Sequence, residues 1–247
     1  MRLDVAFTPL GLQAAEVQGR TVFVIDILRA GTTICAAMHH GARAVLPVAD
    51  TDEALRLAQT LDSDDVLLAG ERQCKPIPGF PLGNSPLEMT PEAVRGRTII
   101  LTTTNGTRAL LGMGGAQMVH PMAAANLEVA GRRAHEVWER DRDLLIVCAG
   151  REGQFALDDA YCAGRLVLAA LGGRKRRRGL NDAARAALDF VSRYGLDWER
   201  PLAASESGRD LVALGMGADV EEAARENAYP ILLQFQERRI TAVTEAG

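Results

Sequence analysis

The sequence predicts a three-layer α/β/α protein with a mostly parallel sheet. Short apolar runs rich in Val, Ile and Leu alternate with longer amphipathic segments through most of the chain, which is the pattern of strands joined by crossover helices. Hydrophobic residues make up 47% of the 247 residues, and 24 glycines provide tight turns. A chain of this length buries enough apolar surface to fold without disulfides.

The apolar runs are the predicted strands, and their continuous hydrophobicity indicates that both faces of the sheet are covered. In chain order they are Thr21–Leu28, Ala44–Ala49, Asp65–Ala69, Thr98–Thr103, Gln117–His120 and Leu144–Ala149. The segments between them predict helices, with Asp50 or Thr51 and Asn126 in N-cap positions. These helices are Thr32–His40, Thr51–Leu61, Gly106–Leu111, Asn126–Arg140 and Phe155–Leu171.

The pattern changes after Gly172. The basic run Arg174–Arg178, which we interpret as a solvated loop, precedes two further predicted helices and a late strand pair. These elements are Leu180–Arg193, Ala218–Asn227, Ile231–Phe235 and Ile240–Val243. The C-terminal part is either a smaller α/β lobe or packs on the first sheet. Because no repeat or linker separates the halves, we predict one domain over residues 1–247, with any subdivision near 172–180.

Charge and composition exclude several classes of protein. The formal net charge of −4 argues against nucleic-acid and anionic-membrane partners, so any anion site is local. The chain has neither a signal-peptide pattern nor an apolar run of membrane-spanning length, and we expect a cytoplasmic protein. The four cysteines, Cys35, Cys74, Cys148 and Cys162, lack metal-binding spacing and are interpreted as buried or bystander residues.

Polar residues lie within or just after the ends of two early predicted strands, at the edge where ligands bind in open α/β sheets. Asp26 and Arg29 precede a Gly-Thr-Thr turn. A carboxylate here either holds a cation, or pairs with Arg29 or caps the next helix. Glu71 and Arg72 follow the third strand, before the Pro/Gly-rich segment Pro76–Pro86, which must be a loop.

Two later strand ends add hydroxyl groups and acids. The Thr102–Arg108 segment places three threonines and an Asn-Gly turn before a helix, which suits phosphate or sulfonate oxygens but matches no nucleotide-binding motif. Glu152, Asp158 and Asp159 are candidate ligands of Mg²⁺, although acids early in a helix also stabilise its dipole. No Ser-His-Asp arrangement is present. These segments predict a site for a doubly anionic small molecule held with a divalent cation.

Together, VFVIDILRAGTTI, GERQCKPIPGFPLGNSP, TTTNGT and CAGREGQFALDDAYCAG resemble the 2-phosphosulfolactate phosphatase family. The similarity is sharp from about Val22 to Gly164. It continues more weakly through Ser207–Leu211 and Asp219-Val220 to Tyr229-Pro230. The chain departs from the family pattern at Gly31, Cys74 and Asp158, where the family usually has Ala, often Gly and commonly Glu, respectively.

The resemblance implies a Mg²⁺-dependent phosphoric monoester hydrolase that converts (R)-2-phospho-3-sulfolactate to 3-sulfolactate and phosphate, as in coenzyme M biosynthesis. The predicted catalytic residues are Asp26, Arg29, Glu71 and Arg72. The predicted substrate-binding residues are Thr32, Thr33, Asn84, Ser85, Thr104, Asn105, Gly106 and Thr107, and the predicted metal ligands are Asp26, Glu71, Glu152 and Asp159. The family motifs also include Gly70, Gly83 and Gly150. We further expect a homo-oligomer, taken as a dimer.

Several alternatives stay open from sequence. Asp26 either ligates the metal during direct water attack or is itself phosphorylated. The second substrate anion would bind one of the arginines or Asn84-Ser85. Two alternative functions stay open for the whole chain. One is a phosphatase of altered specificity, and the other is a non-catalytic anion- or nucleotide-binding α/β protein that uses the same strand ends.

Overall fold

The computed structural model describes residues 2–61, 65–140, 142–173 and 178–243. Within these ranges the strands form a ten-stranded sheet in the order β1-β8-β2-β7-β9-β10-β3-β6-β4-β5. The strands are β1 Leu3–Ala6, β2 Thr21–Ile25, β3 Ala44–Pro47, β4 Val66–Arg72, β5 Lys75–Pro76, β6 Thr98–Thr102, β7 Met118–Met122, β8 Leu144–Cys148, β9 Leu233–Gln236 and β10 Arg239–Ala242. All six strands predicted in the first 150 residues are present.

The sheet consists of two parallel blocks. One block is β1-β8-β2-β7, in which Ile25 of β2 pairs with Cys148 and with Met122. The other is β3-β6-β4, in which Leu101 pairs with Pro47 and with Ala69. Parallel pairing within each block aligns the carboxyl ends of its strands, which is where the predicted site residues lie.

The antiparallel hairpin β9–β10 joins the two blocks. Val119 of β7 pairs with Phe235, and Ile240 pairs with Val45 of β3. The predicted late strand pair is thus confirmed, and it lies inside the main sheet instead of forming a lobe of its own. Leu233 and Ile240 are fully buried, so the end of the chain contributes directly to the core.

Helices cover both faces of the sheet, which confirms the three-layer prediction. They are α1 Ala14–Val17, α2 Ala30–His39, α3 Thr51–Leu61, α4 Pro91–Val94, α5 Gly106–Leu111, α6 Leu127–Glu139, α7 Leu157–Leu171, α8 Asp182–Tyr194, α9 Glu199–Ala204, α10 Glu206–Ala213 and α11 Gly217–Ala223. Residues of α6, α7 and α8 contribute to one core cluster and residues of α2 and α5 to a second. None of the described helices has the length and apolar character needed to cross a bilayer.

Several boundaries and details differ from the predictions. β2 ends at Ile25, so Asp26 lies just beyond it, and α2 begins at Ala30, two residues earlier than expected. Asp50 caps α3 as predicted, because its Oδ1 accepts a hydrogen bond from Glu53 N at 2.8 Å. Asn126 occupies the N-cap position of α6 as predicted, but its Oδ1 accepts from Ala123 N and so stabilises the turn before the helix instead of capping it.

The C-terminal region contains two helices that were not predicted. α9 and α10 are short, and α10 begins at a cap in which Ser205 Oγ accepts a hydrogen bond from Gly208 N at 2.9 Å. The basic run at 174–178 lies outside the described residues except for Arg178. Cys35, Cys148 and Cys162 are buried, as expected, and Cys74 is half-buried.

We predict that His120 makes stability fall as the solution becomes acidic. Burial lowers the pKa of this β7 side chain to about 4, and its Nδ1 lies 2.7 Å from the Leu233 carbonyl oxygen. The unfolded chain takes up the proton first, near pH 6.5, so stability contributed by neutral His120 is complete above pH 6.5 and is lost as pH falls toward 4. The loss should approach about 3 kcal/mol.

The measurement compares urea unfolding of wild type and His120→Asn between pH 4 and 7.5. Asn keeps a donor for the Leu233 carbonyl but does not titrate, so the variant should lack this component of the pH dependence. The comparison is necessary because buried acids with raised pKa values change stability in the opposite direction. Parallel pH profiles for the two proteins would exclude the assignment.

Candidate active site

The carboxyl ends of β2, β4, β6 and β8 converge on a cavity of about 420 Å³, within the size range of small-molecule sites. The polar and charged groups that line it come from these strand ends and from α10 and the residues around it. They are Asp26, Arg29, Glu71, Gln73, Asn84, Thr103, Thr104, Asn105, Arg151, Glu152, Ser207 and Asp210. Most of the predicted strand-end segments therefore meet at one place.

Asp26 is a buried carboxylate in this cavity. Its Oδ1 accepts a hydrogen bond from Ala30 N at 3.1 Å, which stabilises the turn into α2. Its Oδ2 packs so closely on Gly106 that any Cβ there would overlap it. Burial, reinforced by the nearby carboxylates of Asp158 and Glu71, raises the pKa of Asp26 to about 7. A bound cation would relieve this unfavourable concentration of negative charge.

Glu71 connects two loops at the cavity. Its Oε1 accepts from Thr104 N and its Oε2 from Cys74 N, both at 2.8 Å. The sequence predicts that Glu71 and Arg72 follow the third strand. In the structure both residues lie within that strand, because β4 extends through Arg72. The Arg72 guanidinium donates to Thr102 Oγ1 and to the Glu71 carbonyl, and Arg72 is not among the described residues that line the cavity.

The threonines and the asparagine predicted to bind substrate at the ends of β2 and β6 divide into two groups. The hydroxyls of Thr32, Thr33 and Thr107 donate to the backbone carbonyls of Ile27, Asn84 and Thr103, respectively, so they hold turns in place. Thr104 and Asn105 line the cavity, and Asn105 Oδ1 also accepts from Glu152 N at 2.9 Å. The last contact joins the loop after β6 to the loop after β8.

Asn84 lines this cavity, whereas the neighbouring Ser85 does not. Asn84 is 4% exposed, and its Oδ1 has no hydrogen-bond partner in the described part of the chain although it borders the cavity. A buried amide oxygen without a partner is unfavourable, and a hydrogen-bond donor or a cation in the cavity would satisfy it. Ser85 Oγ instead donates to Asp219 Oδ1 at 2.6 Å.

The acids after β8 have distinct environments. Asp159 accepts from Ile27 N and Gly150 N, one on each oxygen, and thereby joins the loops after β2 and β8. Asp158 is buried, and its Oδ1 has no partner among the described residues. Burial raises the pKa of Asp158 to about 6 and also raises that of Asp159, where Asp158 and Asp26 add repulsion. Glu152 is exposed at the cavity rim.

Arg29 is the predicted cation that the structure fixes most firmly. Its Nη1 lies 2.6 Å from Asp219 Oδ2, and its Nη2 donates to the Cys74 carbonyl at 2.7 Å. Both side chains of the ion pair are almost fully buried. Asp219 lies in α11, so this pair fastens the C-terminal helices to the start of α2.

Sequence reasoning assigned no role to Arg151, Asp210 or Asp219. Arg151 and Asp210 both line the cavity and form an ion pair there, with Arg151 Nη2 at 2.5 Å from Asp210 Oδ2. The family resemblance does extend to Ser207–Leu211 and Asp219, although without the sharp motif that would have marked them. Their position is a product of the chain folding back, which local pattern does not predict.

Charge and geometry together define what the site can hold. Four carboxylates, from Asp26, Glu71, Glu152 and Asp210, line the cavity against the two guanidinium groups of Arg29 and Arg151. Within the described ranges, no group of three or more His, Cys, Asp or Glu side chains is arranged to enclose a metal ion. An ion here would therefore take ligands from water or substrate as well as from protein, as Mg²⁺ usually does.

Comparison with known proteins is consistent with this geometry. Residues 6–238 match the family described as 2-phosphosulpholactate phosphatase. A relative from Symbiobacterium thermophilum, named probable 2-phosphosulfolactate phosphatase, is 40% identical over 92% of this chain and 96% of its own. Proteins of the same name from Thermotoga petrophila and Deinococcus radiodurans are 36% and 41% identical, over 92% and 82% of both chains, respectively. The chain therefore belongs to the 2-phosphosulpholactate phosphatase family.

Proposed function

We propose that this protein is a Mg²⁺-dependent phosphatase that hydrolyses (R)-2-phospho-3-sulfolactate, or a closely related small phosphorylated acid, to the hydroxy acid and inorganic phosphate. Such a reaction fits a step in coenzyme M biosynthesis. The observation that supports the proposal most strongly is the excess of carboxylates around the cavity. A cavity of this charge repels an anionic ester unless a divalent cation is bound with it.

The residues present fit a magnesium ion. Asp26 Oδ2 lies beside the Gly106 backbone while its Oδ1 accepts from Ala30 N, and Asp158 Oδ1 is buried without a partner in the described part of the chain. Asp26 with Asp158 would hold the ion, while Asp159 and Glu71, whose oxygens already accept backbone N–H groups, would orient the loops around it. When bound, the ion supplies positive charge that makes the phosphorus more susceptible to attack.

The protein groups around the ion would bind and orient the ester. Arg29 contributes a fixed positive charge, and the unpartnered Oδ1 of Asn84 would accept a hydrogen bond from a bound water molecule. The bond between phosphorus and the ester oxygen breaks, and that oxygen leaves with the hydroxy acid after taking up a proton. Water supplies the new phosphate oxygen, either directly or by hydrolysing a phosphorylated Asp26.

A phosphate-release assay tests the proposal. Purified protein is incubated with 2-phospho-3-sulfolactate, 2-phospholactate and other phosphorylated hydroxy acids, with Mg²⁺ or with EDTA. We expect release of phosphate that requires Mg²⁺ and is fastest with the sulfonated ester. If no ester is hydrolysed with any divalent metal while a phosphorylated ligand still raises the melting temperature, the protein is an anion-binding protein and the proposal is wrong.

A further inference from the structure

The two arginines that line the cavity differ in how firmly they are held. The Arg29 guanidinium is almost fully buried, pairs with Asp219 and also donates to the Cys74 carbonyl. The Arg151 side chain is 28% exposed and pairs with Asp210, whose side chain is 47% exposed. An ion pair with this much solvent access contributes little to stability, so Arg151 can exchange one anionic partner for another at small cost.

Arg151 also has unused hydrogen-bonding capacity. Its Nη1 is buried and has no hydrogen-bond partner within the described residues, and the Glu206 carboxylate lies 3.9 Å away, beyond hydrogen-bond length. The backbone is fixed by a tight turn in which Arg151 and Gln154 exchange hydrogen bonds at 2.8 and 3.0 Å. A rigid backbone with an incompletely satisfied guanidinium at the cavity is suited to forked recognition of a planar or tetrahedral anion.

A doubly or triply anionic ester needs more than one cationic contact. The proposed metal would be held at Asp26, and Arg29 lies close to that carboxylate, whereas Arg151 extends from the loop after β8 and pairs with Asp210 of α10. Arg72 does not contribute, because its guanidinium faces Thr102 and the Glu71 carbonyl. Arg151 is therefore the cavity-lining guanidinium in the described chain that remains available for a second anionic group.

We propose that Arg151 is a specificity-determining residue that binds the carboxylate or sulfonate of the phosphate ester, and that Asp210 holds its guanidinium until the substrate anion takes its place. This role rests on the proposed phosphatase function, and it makes the second anionic group of the substrate the feature that the enzyme recognises. Because Asp210 extends from α10, the exchange would also release the contact between that helix and the loop after β8.

Three esters that differ by one group at a time test the inference. They are 2-phospho-3-sulfolactate, 2-phospholactate, which lacks the sulfonate, and isopropyl phosphate, which lacks both anionic groups. The quantity compared is the ratio of kcat/KM for the fully charged ester to that for isopropyl phosphate. In Arg151→Met this ratio should fall at least about 10-fold, mainly through a higher KM, and Arg151→Lys should restore part of it. The ester at which the loss appears identifies carboxylate or sulfonate as the group bound.

Two further variants complete the experiment. Asp210→Asn weakens the competing partner and should raise the same ratio about 2-fold or more, and this remains measurable if Arg151→Met folds poorly. Arg132→Met, which removes an exposed arginine of α6 outside the cavity, should leave the ratio unchanged. If the kcat/KM ratio is unchanged in folded Arg151→Met, or in Asp210→Asn, the role of Arg151 is wrong while the proposed phosphatase function stands. Wild-type protein that hydrolyses none of the three esters overturns the proposed function and the inference with it.

Discussion

Replacement of Asp26 by Asn is expected to lower kcat for phosphate release by about 10³-fold or more, which corresponds to about 4 kcal/mol of activation free energy. The amide has the shape of the carboxylate but no negative charge, so it binds a divalent cation much more weakly and does not accept a phosphoryl group. Asp159 and Glu71 cannot replace Asp26, because both oxygens of each carboxylate accept backbone N–H groups, and Asp158 would be left as the single remaining ligand.

The same substitution should leave the fold intact. The pKa of Asp26 is raised to about 7 by burial and by neighbouring carboxylates, so the charged form is unfavourable in the metal-free protein. Removing that charge should keep or increase the free energy of urea unfolding measured without Mg²⁺, while the stabilisation produced by added Mg²⁺ should largely disappear.

Asp52→Asn is the matched control, because Asp52 is an exposed acid of α3 far from the cavity-lining set. It should change neither activity nor the response to Mg²⁺. Phosphatase activity that survives in Asp26→Asn would contradict both the metal-ligand and the aspartyl-phosphate roles. Phosphorylated wild-type enzyme trapped at Asp26 would distinguish the second role from the first.

The sequence was informative where local pattern determines structure. Continuous apolar runs predicted the strands from β2 to β8 apart from the two-residue β5, because a strand covered on both faces has no polar alternation. The location of the late hairpin could not be predicted in this way. Its insertion between β7 and β3 depends on Val119–Phe235 and Val45–Ile240 pairing, which are contacts between residues far apart in the chain.

The site likewise combines residues that local sequence pattern predicts with residues that only long-range contacts bring into place. Asp26, Glu71, Asn84, Thr104 and Asn105 were predicted from strand-end position and resemblance, and the structure places all of them at one cavity. The orientation of Arg72 away from the cavity, and the approach of Arg151, Asp210 and Asp219, follow from side-chain hydrogen bonds formed only in the folded chain. No spacing rule within a single segment contains that information.

Asp219→Ala is expected to reduce the free energy of unfolding by about 3–5 kcal/mol, because it leaves the buried Arg29 guanidinium without its counter-charge. Asp219 is 4% exposed and contributes two short contacts, to Arg29 Nη1 and Ser85 Oγ, both at 2.6 Å. In a chain of this length the loss should lower Tm by about 10 °C, measurable by calorimetry or urea unfolding. The exposed pair Arg132–Glu128 is the matched control, and Glu128→Ala should cost about 0.5 kcal/mol or less.

A double-mutant cycle separates loss of the ion pair from loss of packing. Arg29→Met with Asp219→Leu replaces both charges by apolar groups of similar volume, which removes the unpaired buried charge and should recover at least half of the stability lost in Asp219→Ala. Activity should not recover, because the proposed phosphate site still lacks Arg29. The stability losses of the double variant and of the single variants Arg29→Met and Asp219→Leu are compared. If the loss in the double variant equals the sum of the two single losses, Asp219 acts through its contact with Ser85 and the packing of α11, and the ion pair does not stabilise the fold.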